Sequence, residues 1–225
     1  MANDQEKEAA ARASLKFVKD GQVVGLGTGS TAAFFIKLVG EEVKKGLRIR
    51  GIPTSVRSRD LALSLGIPVV TFDEVQEIAV TVDGADEFDP QLRLIKGGGG
   101  ALLREKIVAS ASRELVIVAD ESKQVPVLGK FPLPVEVIGF AQALVSKRIA
   151  ALGADVRLRR DANGQPYVTD EKHLILDCSF GQIRDADGLA RELSEMPGVV
   201  EHGLFIGMAT VVLMAKGSEV VELRR

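Results

Sequence analysis

VTVDGADEFDPQLRLIKGGGGALLREK, residues 80–106, is the stretch around which the rest of the sequence is organised. The β-branched run Val80–Val82 ends at the turn signal Asp83-Gly84, which predicts a buried strand that stops there. Asp86 follows shortly after Asp83. Because open α/β sheets bind ligands at the carboxyl ends of their strands, both carboxylates are expected at a ligand site. A plain turn is the alternative for Asp83 taken alone.

A lysine and a run of glycines follow in the segment KGGGG, residues 96–100. Glycine has no Cβ, so such a run lets backbone N–H groups approach a ligand closely. Lys96 adds a positive charge at the start of the run. The segment therefore predicts a site with a cation and accessible backbone donors, and a flexible loop is the alternative.

The glycines lead into a helix predicted over residues 101–111, which contains REK at 104–106. Its apolar residues cover nearly every face, so the helix is expected to be largely buried. At helical spacing Glu105 falls between Val108 and Ala109, the environment that a general base would occupy. A solvated helix residue is the alternative for Glu105 alone. Acids, a cation and open backbone within one short stretch favour the functional interpretation.

Composition and charge narrow the class of protein. The chain of 225 residues has 46% apolar residues and a net charge of −2, which is ordinary for a globular protein and indicates no nucleic-acid partner. Cys178 is the only cysteine, which excludes an intramolecular disulfide and suits a reducing cytosol. His173 and His202 lack ligand-like spacing, so no metal is expected. Without a signal peptide or a membrane-spanning run, we expect a cytoplasmic protein with no membrane partner.

Strands and helices alternate through the first part of the chain. This pattern predicts a Rossmann-like α/β fold, with a mostly parallel sheet and helices on both faces. The predicted helices are 4–18, 31–45, 56–65 and 101–111. The predicted strands are 23–26, 48–52, 69–72, 78–82 and 115–119.

The segment KFPLPVEV, which follows Gly129, carries two prolines and looks like a domain boundary. It indicates that a second, smaller domain begins there. We predict an α+β, ferredoxin-like domain over residues 131–205. It is inserted into a first domain of residues 1–130 and 206–225, to which two C-terminal strands return. The predicted elements of the smaller domain are strands at 135–138, 155–159, 166–169 and 173–178, helices at 140–152 and 186–195, a hairpin turn at Asn163-Gly164 and a strand from Val199.

GLGTGST, residues 25–31, joins a strand to a helix, where backbone N–H groups and the helix dipole create an anion site. Ser30 stands where the dinucleotide fingerprint needs its third glycine, and residues 44–52 lack the ribose-binding acid. Gly29 stands where a P-loop needs lysine. The hydroxyl groups of the loop suit a single terminal phosphate, and a tight turn capped by Ser30 is the alternative. Lys123 follows another predicted strand and is expected at the same sheet edge, although alone it would be an ordinary surface lysine.

Taken together, these segments resemble the A-type ribose-5-phosphate isomerase family over nearly the whole chain. The resemblance rests on GLGTGST at 25–31, VDGADE at 82–87, KGGG at 96–99, REK at 104–106, ADESK at 119–123, GKFPLPVEV at 129–137 and PGVVEHGLF at 197–205. Gly100, where the family commonly has alanine, is expected to be harmless. The resemblance implies interconversion of D-ribose 5-phosphate and D-ribulose 5-phosphate, in the non-oxidative branch of the pentose phosphate pathway, without a metal or organic cofactor.

The resemblance also implies a role for each site residue. Glu105 matches the base that moves a proton between C2 and C1 through an enediolate, and Asp83 matches the acid/base that helps open the sugar ring. Asp86 is expected to bind sugar hydroxyls, and Lys96 to stabilise the oxyanion together with the glycine amides. The implied substrate-binding residues are Lys7, Thr28, Gly29, Ser30, Thr31, Asp83, Gly84, Ala85, Asp86, Lys96, Gly97, Gly98, Gly99 and Lys123.

Members of that family are homodimers or larger assemblies, so a homodimer or homotetramer is expected, with the smaller domain taking part in assembly. Two alternatives come from other classes. A non-catalytic sugar-phosphate sensor would not need Glu105 beside the KGGG segment, and no helix-turn-helix segment precedes residue 20. A nucleotide-dependent oxidoreductase is disfavoured by Ser30 and the missing ribose-binding acid. The isomerase interpretation requires all these groups, far apart in the chain, to converge on one pocket.

Overall fold

The computed structural model of the chain describes residues 4–217 and 219–225. Its helices are α1 (Asp4–Ser14), α2 (Ser30–Lys44), α3 (Val56–Ser64), α4 (Leu102–Ser110), α5 (Gln142–Ala151) and α6 (Ala186–Ser194). Its strands are β1 (Val23–Leu26), β2 (Arg50–Pro53), β3 (Ile78–Asp83), β4 (Glu87–Phe88), β5 (Leu94–Ile95), β6 (Ser112–Asp120), β7 (Leu133–Val137), β8 (Asp155–Leu158), β9 (Leu174–Ser179), β10 (Val199–His202), β11 (Leu204–Phe205), β12 (Val211–Lys216) and β13 (Glu219–Arg224). Short 3₁₀ turns lie at Leu15–Phe17, Glu121–Lys123 and Gly139–Ala141.

These elements form two compact units. The first comprises the described residues of 1–85, 104–124 and 208–225, and the second comprises 86–103 and 125–207.

In the first unit, six strands form a sheet in the order β13-β12-β6-β3-β1-β2. Neighbouring strands are parallel except β12 and β13, which are antiparallel. Val24 and Leu26 of β1 pack in the main core with residues of α1, α2 and α3, whereas Val23 packs on a smaller cluster that contains Val108 of α4. Because successive side chains of a strand point to opposite faces, helices cover both faces of the sheet. The predicted fold class and the return of two C-terminal strands are confirmed.

One predicted strand of this unit, residues 69–72, is wrong. Val69 makes a single bridge to Gly51, and no longer pairing forms there. The amide of Thr71 instead donates to Oε2 of Glu74 at 2.9 Å, and the amide of Glu74 donates to the Thr71 carbonyl at 3.1 Å. This local turn takes the chain away from the sheet before a strand can form. The first helix also ends earlier than predicted, at Ser14.

The second unit contains the order β7-α5-β8-β9-α6-β10. Its four strands form an antiparallel sheet in the order β10-β7-β9-β8. This is the ferredoxin-like arrangement predicted from the sequence. The predicted turn also forms, since the amide of Gly164 donates to the Asp161 carbonyl at 3.0 Å. The predicted strand at 166–169 is wrong: it makes only isolated bridges, one of them through Pro166, which has no N–H to donate.

The segment 86–103 groups with the second unit rather than with the first domain, where the sequence prediction has it. The reason is that β4 and β5 form a three-stranded sheet with β11. Residues 125–130 group there too, because the buried Glu87 of β4 accepts hydrogen bonds from the backbone amides of Gly129, at 2.8 Å, and Phe131. None of the helices in the described ranges is both long and apolar enough to cross a bilayer.

Candidate active site

The carboxyl ends of three neighbouring strands carry most of the predicted site residues of the first unit. β1 leads into the loop before α2, β3 ends at Asp83, and β6 leads into the 3₁₀ turn Glu121–Lys123. β3 lies between β1 and β6, so these segments share one edge of the sheet. α4 ends just before β6 begins, so its first turn, which contains Glu105, lies toward that same edge.

Asp83 is held by the main chain. Its carboxyl group is almost fully buried, and Oδ1 accepts hydrogen bonds from the amides of Thr28 at 2.9 Å and Gly84 at 2.8 Å. Gly27 lies so close that a Cβ there would fall 2.3 Å from Asp83 Oδ1. The loop after β1 and the end of β3 therefore fit together only with glycine at position 27, and two backbone donors set the orientation of the carboxylate.

The Thr28 hydroxyl belongs to a buried cluster of hydroxyl groups. Its Oγ1 lies 2.7 Å from Oγ1 of Thr54, 2.8 Å from Oγ of Ser55 and 3.1 Å from Oγ of Ser58. Ser58 in turn donates to the Gly27 carbonyl at 2.6 Å. The amide and the hydroxyl of Thr28 were both predicted to contact a phosphate. Both groups are hydrogen-bonded to residues of the first unit instead. A direct contact between Thr28 and substrate remains a prediction.

Thr54, Ser55 and Ser58 are functional candidates that the sequence analysis missed. All three are buried, and Ser55 also caps α3 by accepting from the Ser58 amide at 3.0 Å. A signal for them was available, because Thr54 and Ser55 directly follow β2, whose carboxyl end lies beside that of β1. The rule that identified Asp83 applies equally to them.

The first turn of α2 is open to solvent. Ser30 is exposed and Thr31 is half-buried, and Gly29 is the N-cap of the helix, without a side-chain cap. The alternative of a turn capped by the Ser30 side chain is therefore wrong. The first backbone N–H groups of a helix have no partner within the helix, and together with the positive end of the helix dipole they favour an anion.

Two lysines were predicted to assist at this anion site. Lys123 is half-buried in its 3₁₀ turn, which Asp120 caps by accepting from the Ser122 amide at 3.0 Å. Lys7 lies on α1 with its side chain 18% exposed, and its Nζ is 3.3 Å from Oδ1 of Asp4. The substrate contacts of Lys7 and Lys123 remain predictions.

Glu105 lies on the buried stripe of α4. Its side chain is 5% exposed, and Leu102, Val108 and Ala109 on the same stripe are buried as well. The helix was expected to be largely buried, and seven of its nine residues are buried or half-buried, although Ile107 is 45% exposed. The apolar surroundings predicted for Glu105 are confirmed.

In the second unit, Lys96 is buried to 2% exposure and its Nζ lies 5.4 Å from the centroid of the Phe205 ring. The Lys96 amide donates to the Gly203 carbonyl at 2.9 Å. The ring supports the ammonium group through a cation–π contact, which helps to compensate for its burial. Phe205 and Gly203 were quoted in the sequence only as parts of the segment 197–205, and the structure gives them this supporting role.

Asp86 and the glycine segment are hydrogen-bonded to each other. Oδ2 of Asp86 accepts from the Gly98 amide at 2.7 Å, and the Gly100 amide donates to the Gly97 carbonyl at 3.0 Å. The segment is therefore an ordered tight turn and not a flexible loop. Of the three glycine amides expected to face an oxyanion, that of Gly98 is directed to Asp86. Gly98 and Gly99 are exposed, and the substrate contacts of Gly84, Ala85 and the glycines remain predictions.

Other reactive groups of the second unit have structural roles. Burial raises the pKa of the Cys178 thiol to about 12, which keeps it protonated. His202 accepts from the Leu204 amide at 3.2 Å, and Nδ1 of His173 lies 3.1 Å from Oε1 of Glu136. Across the part of the chain that the structure describes, no three His, Cys, Asp or Glu side chains are grouped to hold a metal ion.

Buried carboxylates, backbone donors and a helix N-terminus at the carboxyl edge of a parallel sheet are typical of α/β enzymes that act on small anionic molecules. The chain belongs to the family of ribose 5-phosphate isomerase A (phosphoriboisomerase A), whose pattern matches residues 50–219. It is 52% identical to ribose-5-phosphate isomerase A of Parvibaculum lavamentivorans, over 98% of this chain and 99% of that one. It is 48% identical to the protein of the same name from Bradyrhizobium diazoefficiens, over 100% and 98% of the two chains.

Solved structures agree with this assignment. One is a D-ribose-5-phosphate isomerase in complex with phospho-erythronic acid, with a TM-score of 0.97, 41% identity and full coverage of both chains. Another is ribose 5-phosphate isomerase A from Methanocaldococcus jannaschii, with a TM-score of 0.95, 42% identity and full coverage of both chains. The family resemblance drawn from the sequence is confirmed.

Proposed function

We propose that the protein interconverts D-ribose 5-phosphate and D-ribulose 5-phosphate, the aldose–ketose isomerisation of the non-oxidative pentose phosphate pathway. The observation that carries this proposal is the buried Glu105 in the first turn of α4, at the sheet edge that also holds Asp83. Family membership over nearly the full chain supplies the substrate, since the relatives are named for it.

In the proposed mechanism, Glu105 removes the proton from C2 of the open-chain aldose. The C–H electron pair forms the C1–C2 double bond of an enediolate, and the carbonyl oxygen at C1 takes up negative charge. Lys96 stabilises this developing charge, and its buried position strengthens the interaction because the local dielectric constant is low. Glu105 then returns the proton to C1, the C2 hydroxyl gives up its proton and becomes the new carbonyl, and the oxygen at C1 takes up a proton and becomes a hydroxyl.

Asp83 and Asp86 have roles that follow from how they are held. Asp83, oriented by two backbone donors, moves hydroxyl protons during ring opening and isomerisation. Asp86, bound to the Gly98 amide, accepts hydrogen bonds from sugar hydroxyls. The terminal phosphate binds the exposed first turn of α2 through Gly29, Ser30 and Thr31, with Lys123 and Lys7 as counter-charges. The complex of a relative with phospho-erythronic acid supports a phosphorylated ligand for the family fold.

We further propose that the enzyme works in the cytoplasm as a homodimer or homotetramer assembled through its second unit. Phe140 in that unit is fully exposed, and the nearby Ile138 and Leu144 are 40% and 51% exposed. Large apolar side chains exposed together on one segment are typical of association surfaces. The buried, protonated Cys178 is compatible with a reducing compartment.

The experiment that tests the catalytic role compares the wild type with Glu105→Gln in a coupled assay for ribulose 5-phosphate, run with EDTA. We expect the variant to lose about 100- to 10,000-fold in kcat, the usual contribution of a general base, while calorimetry still detects ribose 5-phosphate binding. Glu77→Gln is the matched control, because Glu77 precedes β3 at the opposite end of that strand and its side chain is 74% exposed. Equal rates for wild type and Glu105→Gln would remove Glu105 as the base, and a wild type that binds without turnover would favour the sensor alternative.

A further inference from the structure

We propose that Arg159 is a positioning residue that sets the direction of the backbone amides in the glycine turn 97–100, and that Asp177 holds it in place. This role rests on the proposed function, since it matters only if that turn helps to stabilise an oxyanion. Arg159 directly follows β8 and Asp177 lies on β9, both in the same unit as the glycine turn.

The guanidinium group of Arg159 binds the Asp177 carboxylate and two carbonyls of the glycine turn at once. Its Nε donates to Oδ2 of Asp177 at 3.0 Å, and one terminal nitrogen donates to Oδ1 of the same carboxylate. The other terminal nitrogen donates to the carbonyl oxygens of Gly97, at 2.8 Å, and Gly98, at 3.3 Å. The side chain is only 13% exposed. This paired, forked arrangement fixes the guanidinium plane, which a lysine at this position would not do.

Fixing a carbonyl also fixes the amide of the same peptide unit. In a planar trans peptide the C=O and the following N–H point in opposite directions. Because Arg159 binds the carbonyl of Gly97, the Gly98 amide points away from it, in agreement with its hydrogen bond to Asp86 at 2.7 Å. By the same rule, the bond to the Gly98 carbonyl turns the amide of Gly99 away from Arg159. Arg159 thus selects the face of the turn on which its N–H donors appear.

The hairpin that carries Arg159 supports the same arrangement. The Tyr167 amide donates to the Arg159 carbonyl at 2.9 Å, and the guanidinium carbon lies 6.0 Å from the centroid of the Tyr167 ring. The Arg159 amide donates to the Ile175 carbonyl at 2.8 Å, which extends the pairing of β8 with β9. The guanidinium is therefore held from the main chain, the aromatic ring and Asp177, so its position is set independently of any substrate.

The test measures kcat and KM separately for Arg159→Ala, Arg159→Lys and Asp177→Asn. We expect Arg159→Ala to lower kcat about 10- to 100-fold, less than outright loss of an oxyanion donor, and to leave KM within about 3-fold. Arg159→Lys keeps the charge and loses the forked geometry, so its kcat should be as low as that of Arg159→Ala. The kcat of Asp177→Asn should lie between those of Arg159→Ala and wild type. Arg157→Ala is the matched control, since Arg157 lies on β8 two residues before Arg159, is 81% exposed and pairs with Asp155.

Chemical rescue separates positioning from a general loss of structure. Arg159 lines an open cleft of about 600 Å³ together with Gly98, so a small cation from solution has access to the vacated position. Added guanidinium chloride at low millimolar concentration should restore kcat to Arg159→Ala and have no such effect on wild type or Arg157→Ala. A kcat of Arg159→Ala close to that of wild type overturns the proposal. A loss of kcat that parallels the fall in melting temperature and is not restored by guanidinium overturns it as well. If Arg159→Ala does not fold, kcat is compared for Arg159→Lys and Asp177→Asn instead. Wild-type kcat in both variants overturns the proposal, and a lowered kcat supports it. A wild type without isomerase activity would instead count against the proposed function.

Discussion

Replacing Thr28 with valine distinguishes an architectural role for its hydroxyl from a role in phosphate binding. Valine keeps the β-branched shape of threonine and carries a methyl group in place of the hydroxyl, so the side chain differs only in the group that contacts the cluster. The backbone amide of Thr28, which holds Asp83 at 2.9 Å, is also kept. The substitution therefore removes one hydroxyl from the buried cluster and leaves the backbone contact that orients the Asp83 carboxylate unchanged.

The expected cost follows from the hydrogen bonds that remain. Without the Thr28 hydroxyl, Thr54 still donates to the Leu26 carbonyl at 3.1 Å, and Ser58 still donates to the Gly27 carbonyl at 2.6 Å. Ser55 keeps its contact with Ser58 at 3.0 Å. Since no hydroxyl is left without any bond, we expect a loss of about 1–2 kcal/mol in the free energy of unfolding, within the range for one buried hydrogen bond. For a chain of this size that corresponds to a fall in Tm of about 2–8 °C.

The assay compares Thr28→Val with Thr31→Val by thermal unfolding and by steady-state kinetics. Thr31 is half-buried in the first turn of α2, where we propose that its hydroxyl contacts the phosphate. Thr31→Val should change stability by less than about 0.5 kcal/mol, as for most surface substitutions. It should raise KM about 10-fold or more, because a hydrogen bond to a charged group is lost. Thr28→Val should show the reverse: reduced stability with KM within about 3-fold of wild type, since the backbone contact that matters for Asp83 is intact.

The opposite pattern would refute this reasoning. If Thr28→Val had the melting temperature of wild type and raised KM as Thr31→Val does, the Thr28 hydroxyl would bind the substrate and would have no role in stabilising the buried cluster.

Two further predictions concern the second unit. Burial raises the pKa of Glu136 despite its hydrogen bonds to Thr169 and His173. A raised folded-state pKa means that its contribution to stability is present below about pH 4.5 and is lost as the pH rises through the folded-state value. As the pH rises from 4 to 8, the free energy of unfolding of Glu136→Gln should therefore increase relative to that of wild type. Urea unfolding measures this difference, and the experiment is repeated with His173→Asn. A difference that stays constant across this range would exclude the effect. Phe140→Ser should weaken self-association about 10-fold or more in light scattering, as expected when an anchor residue of an interface is lost. Leu63→Ser, at a residue of the first unit that is 55% exposed, should leave self-association unchanged. An unchanged mass for Phe140→Ser would show that the second unit is not the assembly surface.

The long elements were predictable from the sequence because hydrophobic periodicity records them directly. The first strand is visible in the sequence as a short apolar run, although only the structure shows that Val24 and Leu26 pack against one layer of helices and Val23 on the other face. The position of Asp83 at the end of β3 was predictable as well, since this residue breaks an apolar run at the edge where open α/β sheets bind ligands. The helical spacing around Glu105 likewise predicted its burial.

The errors arise where pairing is short or partners are distant. β4, β5 and β11 span two residues each, too few for a period, so the sequence could not assign segment 86–103 to the second unit. The Thr28 hydroxyl looked available because its partners are 26 to 30 positions away in the chain. Arg159 presents the same difficulty, since it lies 61 and 62 positions from the carbonyls that it binds.

The two aspartates of the site share one structural device, which explains where the glycines around them are required. Each carboxylate accepts hydrogen bonds from main-chain amides of a neighbouring loop, Asp83 from that of Thr28 and Asp86 from that of Gly98. A main chain can approach a carboxylate so closely only where no Cβ intervenes. A Cβ at Gly27 would fall 2.3 Å from Asp83 Oδ1, and one at Gly98 would fall 2.5 Å from Asp86 Oδ1. The orientation of both acids therefore comes from the path of the backbone, and Arg159 contacts this path at the Gly97 and Gly98 carbonyls, 62 and 61 positions away in the sequence.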